Sequence, residues 1–194
     1  TVILNGFLGS GKTTFLRNLL VQARKRKLSI GVIVNDMSEL DVDGEIVAQT
    51  ELAQIEPSHF HSIHGCVMSS DMGIARLDQA LKDTRSELDP DLLLIETSGS
   101  CHPMPLIRLL QERRGFKLLG LLTLVDAAMI EEDYGAGTSI VPRLKENLKR
   151  GQRGSTDLLV EQVLFGSKIL LTKVDRIRHA EPAAIAQAIH RLNP

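Results

Sequence analysis

Apolar residues recur along this chain in two alternating rhythms: short unbroken runs, and longer stretches spaced by three and four. The runs are Val2-Ile3-Leu4, Ile30-Gly31-Val32-Ile33-Val34, Leu92-Leu93-Leu94-Ile95, Leu118 to Val125 and Lys168-Ile169-Leu170-Leu171. Compact and apolar on both faces, they predict strands buried within a sheet. Between them, Leu16, Leu19, Leu20 and Ala23, then Ile74, Leu77, Leu81, Thr84 and Leu88, keep the spacing of an amphipathic helix. Pro103 and Pro105 open a further helix to about Arg114, and Ile185, Ile189 and Leu192 mark a final one. The weaker signals are an extended segment from His59 to His64 and a short helix near 46–54 after the turn at Asp43-Gly44. Residues 130 to 158, rich in glycine and charge, are expected to form a mobile loop with helical pieces. Strands alternating with helices predict an α/β fold, a mostly parallel sheet with helices on both faces.

The segment joining the first strand to the first helix carries specific chemistry. Gly6-Phe7-Leu8-Gly9-Ser10-Gly11-Lys12-Thr13 matches G-x-x-x-x-G-K-[ST], and both flanks have the structure that this pattern requires. The glycines let amides of Gly9, Ser10, Gly11, Lys12, Thr13 and Thr14 converge on phosphate oxygens at a helix N-terminus. Lys12 is expected against the β- and γ-phosphates, and the Thr13 hydroxyl on magnesium. The bland alternative, a glycine turn that merely links strand to helix, leaves the lysine and threonine unexplained. The fold class expected is therefore a P-loop NTPase spanning 1–194.

In such sheets ligands bind beyond the carboxyl ends of the strands. Three more groups fall there: Asp36 to Glu39, Glu96-Thr97-Ser98-Gly99, and Thr172-Lys173-Val174-Asp175. Glu96 suits magnesium or its water shell. Gly99, without a side chain, can bring its amide to a γ-phosphate; a diphosphate offers that amide nothing, so residues 97–101 can switch. Asp175 can accept from both N–H groups on the base-pairing edge of guanine, and Lys173 can lay its stem against the base. Asp36 and Glu39 are the acids placed to orient an attacking water; they could instead bind metal or face solvent.

Composition narrows the partners. Hydrophobic residues make up 43% and charged residues 24% of 194, and the net charge is −1. That balance argues against nucleic acid and membrane as partners. The basic run Arg24-Lys25-Arg26-Lys27 reads as the solvated end of the first helix. Two cysteines cannot form a disulfide framework, which favours a reducing cytoplasm, and the most apolar run is too short for a bilayer. Because the chain begins at the edge of a strand, it is expected to be a piece of a longer polypeptide.

Taken together, G-F-L-G-S-G-K-T-T, V-N-D-M-S-E followed by D-G-E, E-T-S-G, the Leu124-Val125-Asp126-Ala127-Ala128 strand end, Glu161-Gln162 and T-K-V-D resemble the CobW-type GTPases. That family of metal-centre assembly proteins includes cobalamin-synthesis and nitrile hydratase activator proteins. The resemblance implies GTP binding and hydrolysis with magnesium; because no clear base or arginine finger stands out in the sequence, intrinsic turnover is expected to be slow and stimulated by a client or by GTP-dependent homodimerisation. It also implies delivery of a metal such as zinc, cobalt or nickel to a client metalloprotein or assembly partner, and a smaller C-terminal domain outside this chain. The family's C-x-C-C motif aligns with Cys66-Val67-Met68-Ser69, which keeps one thiol, and its guanine motif begins with Asn where Thr172 stands.

His59, His61 and His64, followed by Cys66 and Met68, offer borderline and soft donors for a transition metal. The same segment also reads as a polar sheet edge with no metal. Cys101-His102 is a weaker candidate of the same kind. Three functions stand at this point: a metal-handling GTPase, a nucleotide-switched binding module without metal transfer, and an ATP-dependent kinase on the same loop.

Overall fold

The computed structural model describes residues 1–36 and 60–194. The elements in chain order are β1 (Val2–Gly6), α1 (Lys12–Lys25), β2 (Ile30–Asp36), β3 (Phe60–His64), α2 (Asp71–Glu87), β4 (Leu92–Glu96) and α3 (Pro103–Glu112). They continue with β5 (Gly120–Asp126), α4 (Ala127–Tyr134), α5 (Ile140–Arg150), α6 (Ser155–Phe165), β6 (Lys168–Thr172), a 3₁₀ turn (Val174–Arg176) and α7 (Pro182–His190). The helix expected near 46–54, Glu39 and His59 lie outside the described residues.

Among the described residues the strands form one sheet in the order β3-β2-β4-β1-β5-β6, and every pairing is parallel. The expected apolar runs bury both faces. On β1, Ile3 packs in a cluster with Leu77 and Leu81 of α2 and Leu106 and Leu110 of α3, while its neighbour Leu4 packs with Leu16, Leu20 and Ala23 of α1. Burying Leu16 and Leu20 contributes about 2 kcal/mol each, more than any helix propensity difference along α1, so packing fixes that helix.

From β1 the chain crosses to β2 on one side, whereas from β4 it crosses to β5 on the other. The strands β1 and β4 are neighbours, with Leu4 beside Glu96. Adjacent strands whose connections diverge leave a crevice at their carboxyl ends, and the phosphate loop and the Glu96 turn both open into it.

The helical pieces expected in residues 130–158 are more extensive than a loop implies: the stretch holds the end of α4, all of α5 and the start of α6. The glycines punctuate helices here. Gly135 (φ 53°) and Gly151 (φ 63°) end α4 and α5 in the left-handed conformation that a side chain disfavours. At the head of α6 the Asp157 carboxylate accepts from the Gly154 amide at 2.9 Å. Ile130, Tyr134, Ile140, Leu159, Val160 and Val163 bury a third cluster with Ile185 and Ile189 of α7. Among the described residues no helix is long and apolar enough to cross a membrane.

Candidate nucleotide site

Beyond β1 the chain curls through Gly9 (φ 74°) and Gly11 (φ 92°), and the Ser10 amide donates to the Phe7 carbonyl at 3.2 Å. Helix α1 starts at Lys12 with Gly11 as N-cap, no side-chain cap and no acid in its first turn, while Arg24 and Lys25 occupy its last. Its positive end is thus left to the loop. Lys12 is 8% exposed. Its ammonium folds across the curl, donating to the carbonyls of Gly6 at 2.8 Å and Phe7 at 2.9 Å.

The turn after β4 sits directly against this curl. Glu96 is 4% exposed, and Thr13 Oγ1 donates to its Oε1 at 2.7 Å. The Thr97 amide donates to the Leu4 carbonyl at 3.0 Å and its hydroxyl to Asn5 Oδ1 at 2.9 Å. A Cβ added to Gly99 would lie 2.3 Å from the Leu8 amide nitrogen, so only glycine permits this approach.

On the other side of β1, the end of β6 joins the same loop. Thr172 Oγ1 donates to the Ser10 carbonyl at 2.9 Å. Lys173 (φ 54°) turns its ammonium onto Asp126 Oδ2 at 2.5 Å, and Asp126 Oδ1 accepts from the amides of Ala128 and Met129 to cap α4. Asp175 follows, exposed, in the 3₁₀ turn. The loop after it is held by Glu131 of α4, whose carboxylate accepts from the amides of Arg178, His179 and Ala180. Those amides, Arg178 first, hold the Glu131 carboxyl below its ordinary range.

Of the predicted site residues, Gly9, Ser10, Gly11, Lys12, Thr13, Thr14, Glu96, Gly99, Thr172, Lys173 and Asp175 line one rim of the sheet. Asp36 ends β2 at the same rim. Thr172 does something the sequence did not suggest, since its hydroxyl faces the phosphate loop. Asn35 and Asp126 entered the sequence reading only as members of family motifs, without these roles, and Glu131 was not singled out. Asn35 brackets the segment after β3: its Nδ2 donates to the carbonyls of Ile63 at 3.1 Å and Cys66 at 2.8 Å, and its Oδ1 accepts from the Met68 amide at 2.8 Å. A buried amide at the end of a strand was the available signal.

The histidine and cysteine segment is more dispersed. His61 and His64, three apart on β3, fall on opposite faces of the strand. Cys66 is half-buried against the core, and Met68 is fully inside it, where it is a packing residue and no soft donor. Among the described residues no group of three or more His, Cys, Asp or Glu side chains is placed to hold a metal ion. Burial pushes the Cys101 thiol up to about 11, and the neighbouring His102 ring turns to Glu161 at 2.8 Å, so that pair presents no thiolate site.

A strand, a glycine curl and a helix, with an acid-bearing turn and a T-K-x-D loop joined to the curl on either side, define a P-loop nucleotide-binding α/β domain. The chain belongs to the CobW/HypB/UreG nucleotide-binding domain family, which it matches over residues 1–194. It is 30% identical to the zinc-regulated GTPase metalloprotein activator 1 of Dictyostelium discoideum, across 99% of this chain and 43% of that protein. Identity to the zinc chaperone CobW of Pseudomonas aeruginosa is 31%, across 90% of this chain and 48% of that protein. The chain thus spans about half the length or less of these relatives. The hydrogenase maturation factor HypB of Archaeoglobus fulgidus shares the fold, with a TM-score of 0.57 at 16% identity over 100% of this chain and 76% of that one. FtsY of Mycoplasma mycoides shares it too, with a TM-score of 0.53 at 18% identity over 99% and 57%.

Proposed function

We propose that this domain binds GTP with magnesium, hydrolyses it slowly, and uses the bound nucleotide to gate a metal-handling or assembly partner. The observation that carries this reading is the 2.7 Å hydrogen bond of Thr13 to Glu96 beside a loop to which Gly99 and Thr172 are both joined. Thr13 and Glu96 supply hard oxygen ligands of the kind magnesium takes, directly or through water. When bound, that ion neutralises charge on the β- and γ-phosphates.

The chain's own residues divide the remaining work. Amides from Gly9 to Thr14 hold the phosphates, Lys12 spreads its charge over the β–γ bridge, and the Gly99 amide meets the γ-phosphate and releases it on hydrolysis. Asp175 accepts from the base edge of guanine while the Lys173 stem, its head pinned by Asp126, covers the base face. Hydrolysis is positioning plus charge neutralisation, with Asp36 and Glu39 as the acids that orient water. With no arginine finger or clear base marked in the sequence, turnover of the isolated domain is slow, and a client metalloprotein or a GTP-dependent homodimer speeds it.

The zinc-chaperone relatives support a metal cargo, and the donor chemistry of Cys66 with His59, His61 or His64 suits zinc, cobalt or nickel, handled in a reducing cytoplasm. A second reading, a nucleotide switch without metal transfer, is favoured by the burial of Met68 and the opposed faces of His61 and His64. One experiment addresses both: competition of GTP and ATP for the magnesium-loaded protein, with transition-metal stoichiometry measured on the same sample. GTP preference with one bound metal per chain supports the metal-handling switch, and GTP preference with none supports the second reading. ATP preference would sink both and favour a kinase.

A further inference from the structure

Helix α6 reaches under the turn that follows β4, and two successive residues on it hold both ends of that turn. Gln162 is 0% exposed. Its Nε2 donates to the Gly99 carbonyl at 3.1 Å and to the Cys101 carbonyl at 3.2 Å. Both partners are acceptors only, so chemistry alone requires the amide nitrogen to face them. Glu161 meets the His102 ring at 2.8 Å, and the His102 amide donates to Ser69 Oγ at 3.1 Å. The post that carries these arms is itself fixed, because Thr123 Oγ1 of β5 donates to the Gln162 carbonyl at 2.9 Å.

The residue so restrained is the one that most needs restraint. Glycine has the widest backbone freedom, and a Gly99 amide that is to meet a γ-phosphate must give that freedom up. The Gln162 amide pins the Gly99 carbonyl, which limits rotation at that residue before any nucleotide arrives. Its other end is unsatisfied: among the described residues Gln162 Oε1 is buried with no donor. A buried acceptor without a partner is costly, and a small movement of the turn can bring an amide or hydroxyl to it.

We infer that Gln162 is a positioning residue which sets the place of Gly99 and thereby the preference of the site for triphosphate over diphosphate. The inference rests on the proposed nucleotide switch and deepens it by assigning its fixed point to α6. The α- and β-phosphates are held by the loop after β1, whereas the side-chain hydrogen bonds of Gln162 go to Gly99 and Cys101 of the turn after β4. Its removal therefore affects recognition of the γ-phosphate alone.

The test compares wild type with Gln162→Met, which keeps length and loses both donors, and with Gln162→Glu, which sets a carboxylate against two carbonyls. Affinities for GDP and for a non-hydrolysable GTP analogue are measured with magnesium. Freeing one residue's backbone is expected to weaken the analogue about tenfold while GDP stays within about twofold. Equal loss of both nucleotides, or loss of neither, overturns the inference. Should the variants not fold, the side-chain amide resonances of Gln162 in wild type decide: they shift between the GDP and analogue complexes if the inference holds, and identical resonances overturn it. A wild type that binds neither nucleotide overturns the proposed function itself, a failure distinct from these.

Discussion

The two ends of the nucleotide rim are built on different terms. At the phosphate end, side chains and backbone meet largely inside the protein: Lys12 on the Gly6 and Phe7 carbonyls, Thr13 on Glu96, Gly99 against Leu8. At the base end, an exposed Asp175 rides on a loop held from below by two carboxylates, Asp126 on Lys173 and Glu131 on three amides. Buried contacts in low dielectric are stiff and costly to break, while partly solvated ones are screened and tunable. On the proposed reading, grip on phosphate is therefore built into the core, and choice of base falls to a more exposed loop.

Lys12→Ala strikes the stiff end and carries the largest expected effect. It removes charge-assisted hydrogen bonds worth about 1.5–3 kcal/mol each from the phosphates, so affinity for GTP and ATP alike should fall by about a hundredfold or more. It also strips two carbonyls of a donor, so a melting curve on the same protein is needed to separate weakened binding from a damaged fold. Affinity unchanged in a folded variant would mean that the curl is not the phosphate site. Asp175→Asn strikes the other end. It replaces one of two acceptors with a donor facing the guanine N–H groups, so GTP affinity should drop about tenfold while ATP affinity holds. Parallel loss of both nucleotides would instead tie Asp175 to the phosphate end, and the contrast between the ends would fail.

The same contrast explains what could be read from the sequence. The phosphate loop, Glu96 and Gly99 belong to compact segments at the ends of apolar strands, so spacing alone placed them. The cross-links between segments were not legible, because Thr172 on Ser10 spans 162 positions and Gln162 on Gly99 joins a helix to a turn 63 positions earlier. Such pairings follow from strand order, which periodicity does not fix. In residues 130–158 helical pieces were expected but not their extent, because glycines at helix caps and loose turns look alike until the backbone angle at Gly135 or Gly151 is known. Met68 failed for a third reason, since a methionine beside cysteine and histidine suggests a soft ligand until its burial places it in the core.

The smallest effect, and the finest probe of the base end, is at Glu131. Amide donors depress its carboxyl, so its hold on residues 178–180 is fully present above the ordinary glutamate value of 4.5 and is lost as pH falls through the lowered folded value. Asp157, depressed by the Gly154 amide and Asn147 at the head of α6, shifts stability with the same sign. A global melt therefore mixes the two, and the readout must be local. Hydrogen exchange at Arg178, His179 and Ala180, corrected for intrinsic rates, should accelerate on acidification in wild type. In Glu131→Gln it should already be fast near neutrality and lose that dependence, with GTP-over-ATP preference lowered about twofold, well short of the tenfold change at Asp175. Flat exchange in wild type across that range would show that the loop is held by its own packing, and the base end would then be as stiff as the phosphate end.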